Sequence, residues 1–229
     1  MGNQSLPTVP TVAPVSPSSK PAPPPKPPVL AKALDGLVVP ADQIPAATGI
    51  APAPIQSQSQ MFTAFPTTQF QDPQCAPVAF PGQAFFYEGS GWLATRVQNS
   101  WGKVSDQAPG YAWRASEFVT NFDTPKLARD FVGIKTLLLT NCENRPINAK
   151  ADPPSPDDAR WTAGQVDNTD PNTIMMPLSQ EGGGGWRAWR ALAVRNNVVL
   201  DVVIAAPDLP QSAILGLLKA ITDRIDAQP

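Results

Sequence analysis

The pattern of apolar and polar positions is clearest near the end of the chain, where two strand-like segments flank an Asn-Asn pair. The first segment runs from Trp186 to Arg195 and the second from Val198 to Ala206. Because Asn tolerates positive φ, Asn196-Asn197 can form the two-residue type I′ turn that suits the twist of paired strands. The pattern therefore predicts a β-hairpin whose register is fixed by this turn.

The predicted register divides the hairpin into two faces. One face is apolar enough to pack on a helix and carries Trp189, Ala191, Ala193, Leu200, Val202 and Ile204. The other face carries Arg190, Leu192, Val194, Val199, Asp201 and Val203. On this second face the charged side chains of Arg190 and Asp201 are diagonal neighbours.

Helical spacing of apolar residues occurs in three other segments. Thr124-Pro125 is a good N-cap and first-turn pair for a helix whose apolar positions recur through Leu139. The segment from Gln211 to Asp226 predicts an amphipathic helix, whose natural partner is the apolar face of the hairpin. A shorter helix is predicted near Ala41 to Thr48, ended by Gly49.

Strand-like segments fill most of the remaining chain. They are Met61–Phe65, Trp92–Val97, Tyr111–Phe122, Arg145–Lys150, Arg160–Val166 and Thr173–Ser179. Residues 51–60 are expected to be a polar link and residues 151–159 a loop, and the strand at 111–122 is expected to have one partly wet face. The order of elements predicts an α+β domain, an antiparallel β-sheet with helices packed on one side of it.

The first 29 residues have a different composition, dominated by Pro, Ser, Thr, Val and Lys. Such a segment buries too little apolar surface to offset its ordering entropy, so we expect residues 1–29 to be a disordered linker before a domain at 30–229. A spacer role suits this composition, although its PxxP motif also fits an SH3-type ligand. The sequence has neither a signal-peptide pattern nor an apolar run of membrane-spanning length, so we expect membrane contact only through an anchor outside this sequence.

Charge and residue usage exclude several classes of function. With 17 basic and 19 acidic residues, the chain has no basic excess for binding nucleic acid. The absence of His excludes Ser-His and Cys-His catalysis and most zinc sites, and we expect neither a cofactor nor a metal. Cys75 and Cys142 are consistent either with two buried thiols or with one disulfide formed in an oxidising compartment.

Four consecutive glycines, Gly182 to Gly185, precede the hairpin. A phosphate-binding P-loop would need a Lys and a Ser or Thr after the glycines, leading into a helix. Here Trp-Arg and a strand follow, so the glycines are better explained by a bulge or a close crossing where only glycine fits.

The stretch QEGGGGWRAWRALAVRNNVVLDV at 180–202 resembles the closing hairpin of the PknH-like extracellular domain family. That family includes the sensor domain of a mycobacterial serine/threonine kinase and many envelope lipoproteins. Weaker similarity extends to YEGSGWLATRVQ at 87–98, to the surroundings of both cysteines and to the helix beginning at Thr124. The resemblance implies a non-enzymatic ligand-binding or sensing module on the extracellular side of the mycobacterial membrane, within a lipoprotein or a kinase ectodomain.

Members of this family typically have two disulfides. The resemblance implies that Cys75 and Cys142 form the first, and closing so long a loop would contribute at most about 4 kcal/mol. The second pair would fall at Ala188 and Ala205, which the predicted register places opposite each other. The loss of both cysteines departs from the family pattern and leaves that end of the hairpin less constrained.

The resemblance also implies a groove for an unknown small molecule or envelope component. The candidate ligand-binding residues are Glu181, Trp186 and Arg190 at the hairpin, with Trp92, Tyr111 and Trp113 from the preceding strands. An arginine beside aromatic rings can hold an anionic or sugar-like group while the rings cover apolar surfaces. Two alternatives stay open for these residues, because each Trp is also a suitable core residue and Arg190 can pair with Asp201.

Two other functions compete with ligand binding. The first is a structural scaffold that binds another envelope protein, which a flat exposed apolar patch would favour. The second is a hydrolase that uses carboxylates from the set Glu88, Glu117, Glu143 and Asp201. Glycoside chemistry needs two carboxylates about 5–10 Å apart, a requirement that nothing in the spacing of these residues demands.

Overall fold

A computed structural model describes residues 26–61, 72–105, 110–148, 160–182 and 184–228. Three expectations lie wholly or mostly outside these ranges: the disordered linker at 1–29, the strand residues 62–65 and the loop at 151–159. Within the described ranges, no helix is both long enough and apolar enough to cross a membrane.

The described part of the chain contains one antiparallel sheet of nine strands. Their bounds are β1 Ile55–Met61, β2 Trp92–Lys103, β3 Tyr111–Phe122, β4 Pro146–Asn148, β5 Arg160–Ala163, β6 Asp167–Asp170, β7 Thr173–Gln180, β8 Trp186–Arg195 and β9 Val198–Pro207. The strands lie in the order β1-β2-β3-β9-β8-β7-β5-β4, and β6 pairs with β7. The hairpin of β8 and β9 is therefore central in the sheet.

The register of the central hairpin agrees with the sequence prediction. Arg195 pairs with Val198, and Ala188 pairs with Ala205. The type of the turn differs from the predicted type I′. Asn196 has a positive φ of 54° but Asn197 does not, and this pattern of signs belongs to a type II′ turn. Asn197 is buried, and its side-chain amide donates to the Phe122 carbonyl at 2.6 Å, so tertiary contacts hold this residue.

Five α-helices complete the described architecture. They are α1 Ile44–Thr48, α2 Ala76–Ala79, α3 Ala84–Tyr87, α4 Pro125–Thr140 and α5 Gln211–Asp226. The predicted N-cap of α4 is present, since Thr124 Oγ1 accepts a hydrogen bond from the Leu127 N–H at 3.2 Å. The helix predicted near residues 41–48 begins with a 3₁₀ turn, continues as α1 and ends at Gly49, whose φ is 72°.

Helices cover both faces of the sheet, so the expectation of helices on one side was wrong. The apolar hairpin face, including Leu200 and Val202, packs against α5 as predicted. The opposite face, including Leu192 and Val199, packs against α4, the short helix α2 and the short aromatic helix α3. Because both hairpin faces are rich in apolar residues, both need cover. The partly wet face expected on β3 is present in the first half of the strand, where Ala112 and Ser116 are half-buried and Arg114 is exposed, whereas every residue from 117 to 122 is buried.

Several strands differ from the sequence expectations in length or existence. The segment expected as a polar link is largely β1, whose sequence IQSQSQM has few apolar residues because an edge strand needs little burial. The strand β6, with the polar sequence DNTD, was not predicted. The strand β2 extends six residues beyond the predicted end at Val97, β4 begins one residue later than predicted, and β5 is shorter than predicted.

The segment of residues 29–50, here called the strap, lies over the apolar hairpin face beside α5. Its buried side chains include Leu37, Val39 and Ile44. The fit against α5 is close: a Cβ on Gly216 would lie 2.1 Å from the Ala47 carbonyl oxygen, so only glycine is compatible with this crossing. The strap therefore forms part of the core on this face.

Candidate functional site

The six residues predicted to contact a ligand do not converge on one pocket. Trp113 is 1% exposed in the cluster beneath α5 and the strap, and Arg190 is 1% exposed on the opposite face. Trp92 and Trp186 are half-buried on the same face as Arg190, but they lie near opposite ends of the central strands.

The remaining two predicted residues are exposed. Tyr111 lies at the start of β3, where the Arg114 guanidinium is 3.7 Å from the centre of its ring. Glu181 lies in the glycine-containing turn before β8, and its Oε1 accepts a hydrogen bond from Thr162 Oγ1 at 3.3 Å. Gly182 and Gly185 have φ of 67° and 85°, so glycine is favoured here by backbone conformation. No close crossing is present at Gly182, because a Cβ there would meet nothing within 4 Å. Ligand contact by Glu181 stays a prediction.

Arg190 forms the buried pair with Asp201 that the hairpin register had suggested. Its Nε donates to the Pro77 carbonyl at 3.0 Å, which ties β8 to α2. The Tyr87 hydroxyl donates to the other carboxylate oxygen of Asp201, which ties β9 to α3. Burial raises the pKa of Tyr87 well above its ordinary value, and the charge of Asp201 adds to this effect. Tyr87 therefore remains a hydrogen-bond donor, and the network joins the sheet to its aromatic cover.

The four carboxylates considered for hydrolysis do not form a catalytic pair. Glu117 and Asp201 are both completely buried, but they lie on opposite faces of the sheet. Glu143 Oε1 accepts a hydrogen bond from the Val166 N–H at 2.8 Å, and Glu88 is exposed after α3. The described geometry therefore offers no basis for glycoside chemistry by these residues.

Glu117 has a separate role beneath the strap. Its Oε2 accepts a hydrogen bond from the Val39 N–H at 2.8 Å, while its Oε1 has no hydrogen-bond partner among the described residues. Burial raises the pKa of Glu117 to about 8, against the smaller lowering effects of the Val39 N–H and the Arg224 charge. This carboxyl is therefore mostly protonated at neutral pH.

A polar pocket of about 470 Å³ opens at the end of the sheet where β8 turns into β9. We call it the junction pocket and define it by Arg129, Asp170, Asn172, Arg195, Asn196 and Asp226. These residues come from α4, the β6–β7 turn, the β8–β9 turn and α5. Four separate segments of the chain thus contribute polar side chains to one concave surface.

Two of the four charged residues of the junction pocket form an ion pair with each other, and the other two do not. Arg195 and Asp226 hold each other, with Nε donating to Oδ1 at 2.8 Å and Nη2 donating to Oδ2. The hydrogen bond from Arg195 lowers the pKa of Asp226 below its ordinary value, so this carboxylate stays ionised. Arg129 and Asp170 form no ion pair within the described part of the chain. Their side chains therefore have hydrogen-bonding capacity for a ligand.

The junction pocket lies beside residues 26–29, the first residues that the structure describes. Asn196 Nδ2 donates to the Pro27 carbonyl at 2.7 Å, and Lys26 Nζ donates to the backbone carbonyl of Asp226. One residue further into the hairpin, Asn197 Oδ1 accepts from the Val29 N–H at 2.6 Å. Two residues of the pocket thus also bind the chain that enters the domain.

None of the six residues predicted from the sequence lines the junction pocket. Placing Asp170 and Asn172 requires the pairing of β6 with β7, which the polar sequence DNTD did not reveal. The usable signal was the position of Arg195 beside the hairpin turn, together with the polar end of α5 at Asp226. These two residues indicate that polar groups gather at one end of the sheet, but they do not indicate which other segments complete the pocket.

A second cavity, of about 420 Å³, lies beside the disulfide. Cys75 and Cys142 are joined, with their Cα atoms 5.6 Å apart, so the bond links the start of α2 to the chain after α4. Phe85 and Leu138 are among the residues that line this cavity. Its surroundings are more apolar than those of the junction pocket.

Comparison with known proteins gives a consistent picture. A family model described as the PknH-like extracellular domain matches residues 29–224. The serine/threonine-protein kinases PknH of Mycobacterium bovis and Mycobacterium tuberculosis are each 31% identical over 130 residues, which cover 57% of this chain and 20% of each kinase. The chain thus matches about a fifth of the length of these curated relatives. The crystal structure of the extracellular domain of PknH from Mycobacterium tuberculosis superposes with a TM-score of 0.75 and 25% identity, covering 88% of this chain and 98% of that chain.

Proposed function

Since this chain belongs to the PknH-like extracellular domain family, we propose that it is the extracellular ligand-binding or sensing module of a mycobacterial cell-envelope protein. The parent protein in this proposal is a kinase or a lipoprotein, with the domain on the outer side of the cell membrane. The Pro-rich linker before residue 30 then acts as the spacer between the domain and its anchor.

The observation that carries the proposal is the junction pocket. Its volume of about 470 Å³ is within the ordinary range for small-molecule sites, and four chain segments give it convergent polar groups. Arg129 and Asp170 are exposed and form no ion pair in the described structure, although the Asp170 Oδ1 accepts a hydrogen bond from the Asn172 N–H at 2.9 Å. Both charged groups are therefore accessible to a ligand.

A second position for ligand contact follows from the residues predicted in the sequence. Glu181 and Trp186 flank the glycine turn at the opposite end of the hairpin, where Glu181 is exposed and Trp186 half-buried. We propose these two as an accessory contact, because an exposed carboxylate and a half-buried aromatic ring at the same end of the hairpin suit a polar ligand. The buried Arg190 and Trp113 would support such a site only indirectly.

Mass spectrometry of protein purified from a mycobacterial host tests the proposed function. Under native conditions we expect a mass above that of the chain, and under denaturing conditions the extra mass should be lost. Fragmentation of the released molecule gives its chemical class. A native mass equal to that of the bare chain, combined with no binding from extracts of cell envelope, would contradict the proposal.

A pair of matched variants locates the site in the same experiment. Thr222 lines the junction pocket and its hydroxyl bonds only within α5, so Thr222→Trp should fill the pocket and abolish the extra mass. Lys219→Trp places the same side chain on the exposed side of the same helix and should leave the extra mass unchanged. Retention of the extra mass in Thr222→Trp would move the site elsewhere without removing the binding function.

The scaffold alternative would use the outer surface of α4. Leu127, Ile134 and Leu137 are exposed there at 39%, 65% and 70%. Three side chains bury far less than the roughly 800 Å² per partner of a stable protein interface. The junction pocket is therefore the stronger basis for a function.

A further inference from the structure

The junction pocket has balanced charge. Arg129 and Arg195 contribute two positive charges, and Asp170 and Asp226 contribute two negative charges. Between them lie the side-chain amide groups of Asn172 and Asn196 and the hydroxyl groups of two threonines. A ligand with a net charge of either sign would meet like and opposite charges in equal number, so the lining gives it no net electrostatic attraction.

A ligand rich in hydroxyl groups suits this balance. Each hydroxyl group can donate one hydrogen bond and accept others, so it can bridge a carboxylate acceptor and a guanidinium donor. The planar Arg195–Asp226 pair is already fixed by two hydrogen bonds and presents its outer edges in a set orientation. Leu218 and Ala193 add a small apolar surface that can cover the C–H groups of a sugar ring.

The pocket shares residues with the linker junction. Asn196 lines the pocket and also donates to the Pro27 carbonyl, while Asp226 lines it and accepts from Lys26 through its backbone carbonyl. A ligand that hydrogen-bonds to the Asn196 amide competes with the bond from this amide to the Pro27 carbonyl, and a ligand on the Asp226 carboxylate screens the attraction of this carboxylate for Lys26. The buried side chain of Asn197 holds the backbone of Val29 in place by two hydrogen bonds. A change caused by the ligand should therefore move the residues that precede Val29.

We propose that the junction pocket binds a neutral polyhydroxylated ligand of the sugar class, and that its occupancy is transmitted to the linker through Asn196 and Asp226. This inference rests on the proposed sensing function and specifies both the ligand chemistry and the exit route of the signal. In a domain tethered by its N-terminal linker, this junction is the direct mechanical path toward the anchor.

Nuclear magnetic resonance titration of the full chain with maltose tests the proposal, with inorganic phosphate at matched ionic strength as the charged comparison. Maltose should shift the amide resonances of Thr173, Arg195 and Asn196, and it should also shift those of Lys26 and Val29. Phosphate should shift none of these by a comparable amount. The two sets of shifts should saturate at the same maltose concentration, because one binding event causes both.

Substitutions separate binding from transmission. Arg129→Ala removes a pocket cation that has no ion-pair partner in the described structure, so it should weaken maltose binding at least fivefold, whereas Lys126→Ala on the same helix should not. Asn196→Gly keeps the positive φ of the turn but removes the bond to Pro27. Because Asn196 also lines the pocket, this variant should bind maltose more weakly, and once the shift at Thr173 has saturated, most of the shift at Lys26 should be absent.

The possible results distinguish this inference from the proposed function. Shifts caused by phosphate and not by maltose would overturn the ligand class. Maltose shifts at Thr173 without any at Lys26 or Val29 in the unmodified chain would overturn transmission through the junction. Maltose shifts confined to the cavity beside Cys75 and Cys142 would overturn the site but leave a ligand-binding domain. The proposed function itself would fail only with the bare native mass and the absent extract binding described above.

Discussion

At the scale of single residues, Glu117 shows how burial changes the chemistry of an ordinary carboxyl group. The side chain is fully buried beneath the strap, and its neighbours are Val39 of the strap, its strand partner Gln98 of β2, and Arg224 of α5. Of these groups only Arg224 is charged, and its attraction is smaller than the desolvation effect. The folded protein therefore keeps a proton that the unfolded chain releases.

This proton makes stability depend on pH. The pKa of Glu117 is about 8 when folded and about 4.5 when exposed, so the folded state binds more protons between these values. The favourable contribution is complete below pH 4.5 and is lost as the pH rises toward 8. Glu117→Gln mimics the protonated group, so it should raise the free energy of unfolding at pH 8 by on the order of 3 kcal/mol and flatten the pH profile.

Urea denaturation at pH 5 and pH 8 measures this effect. Glu181→Gln removes an exposed carboxylate and serves as the matched control, with no change in the pH profile expected. Equal losses of stability between pH 5 and pH 8 in Glu117→Gln and in the unmodified chain would show that another group controls the pH dependence.

At the scale of elements, the central hairpin is the part whose sequence and structure agree best. Its β-branched content and its turn define the strands, and its register follows from the two-residue loop. What differs is the burial: Leu200 and Val202 are fully buried under α5, but Leu192 and Val199 are also fully buried under α4. The hairpin therefore contributes to two cores.

Leu200→Ala tests the contribution of the hairpin to the core beneath α5. Removing a fully buried leucine side chain leaves a cavity, so the free energy of unfolding should fall by about 2–4 kcal/mol. Ile134→Ala shortens a side chain that is 65% exposed on α4 and should change stability by no more than about 0.5 kcal/mol. Equal effects of the two substitutions, measured by denaturant titration, would contradict the assigned packing.

At the scale of the whole molecule, the disulfide between Cys75 and Cys142 holds the cover of one sheet face together. It joins the segment before α2 to the end of α4, and both elements pack on the same buried cluster. The central hairpin contains no cysteine, and Ala188 and Ala205 pair directly across it. The covalent cross-link of this domain therefore lies in the cover of one sheet face and not in the central hairpin.

Cys75→Ala combined with Cys142→Ala tests the contribution of this bond. Opening a loop with a sequence separation of 67 should lower the free energy of unfolding by up to about 4 kcal/mol. Dithiothreitol should destabilise the unmodified chain to a similar degree and leave the double variant unchanged. Two titratable thiols in unfolded protein made under oxidising conditions would show that the bond does not form.

The junction pocket could not be deduced from the sequence, for a physical reason that particular residues make clear. Arg129, Asp170 and Asp226 are separated by long stretches of chain, and each is an unremarkable polar residue in its local pattern. Their meeting depends on how α4 and α5 cross the end of the sheet and on the pairing of β6 with β7. The predicted residues Trp92 and Trp113 show the converse, since their composition suggests a binding site but packing buries them partly or fully.

The sequence by itself determined the local elements whose stabilising interactions are local. Thr124 caps α4, the spacing of apolar residues defines α5, and the Asn-Asn turn sets the register of β8 and β9. Only the tertiary structure decided which faces are covered, which charges pair and where a pocket forms. These outcomes depend on contacts between residues far apart in the chain, and the alternation of side chains within a strand does not encode its partner on the other side of the core.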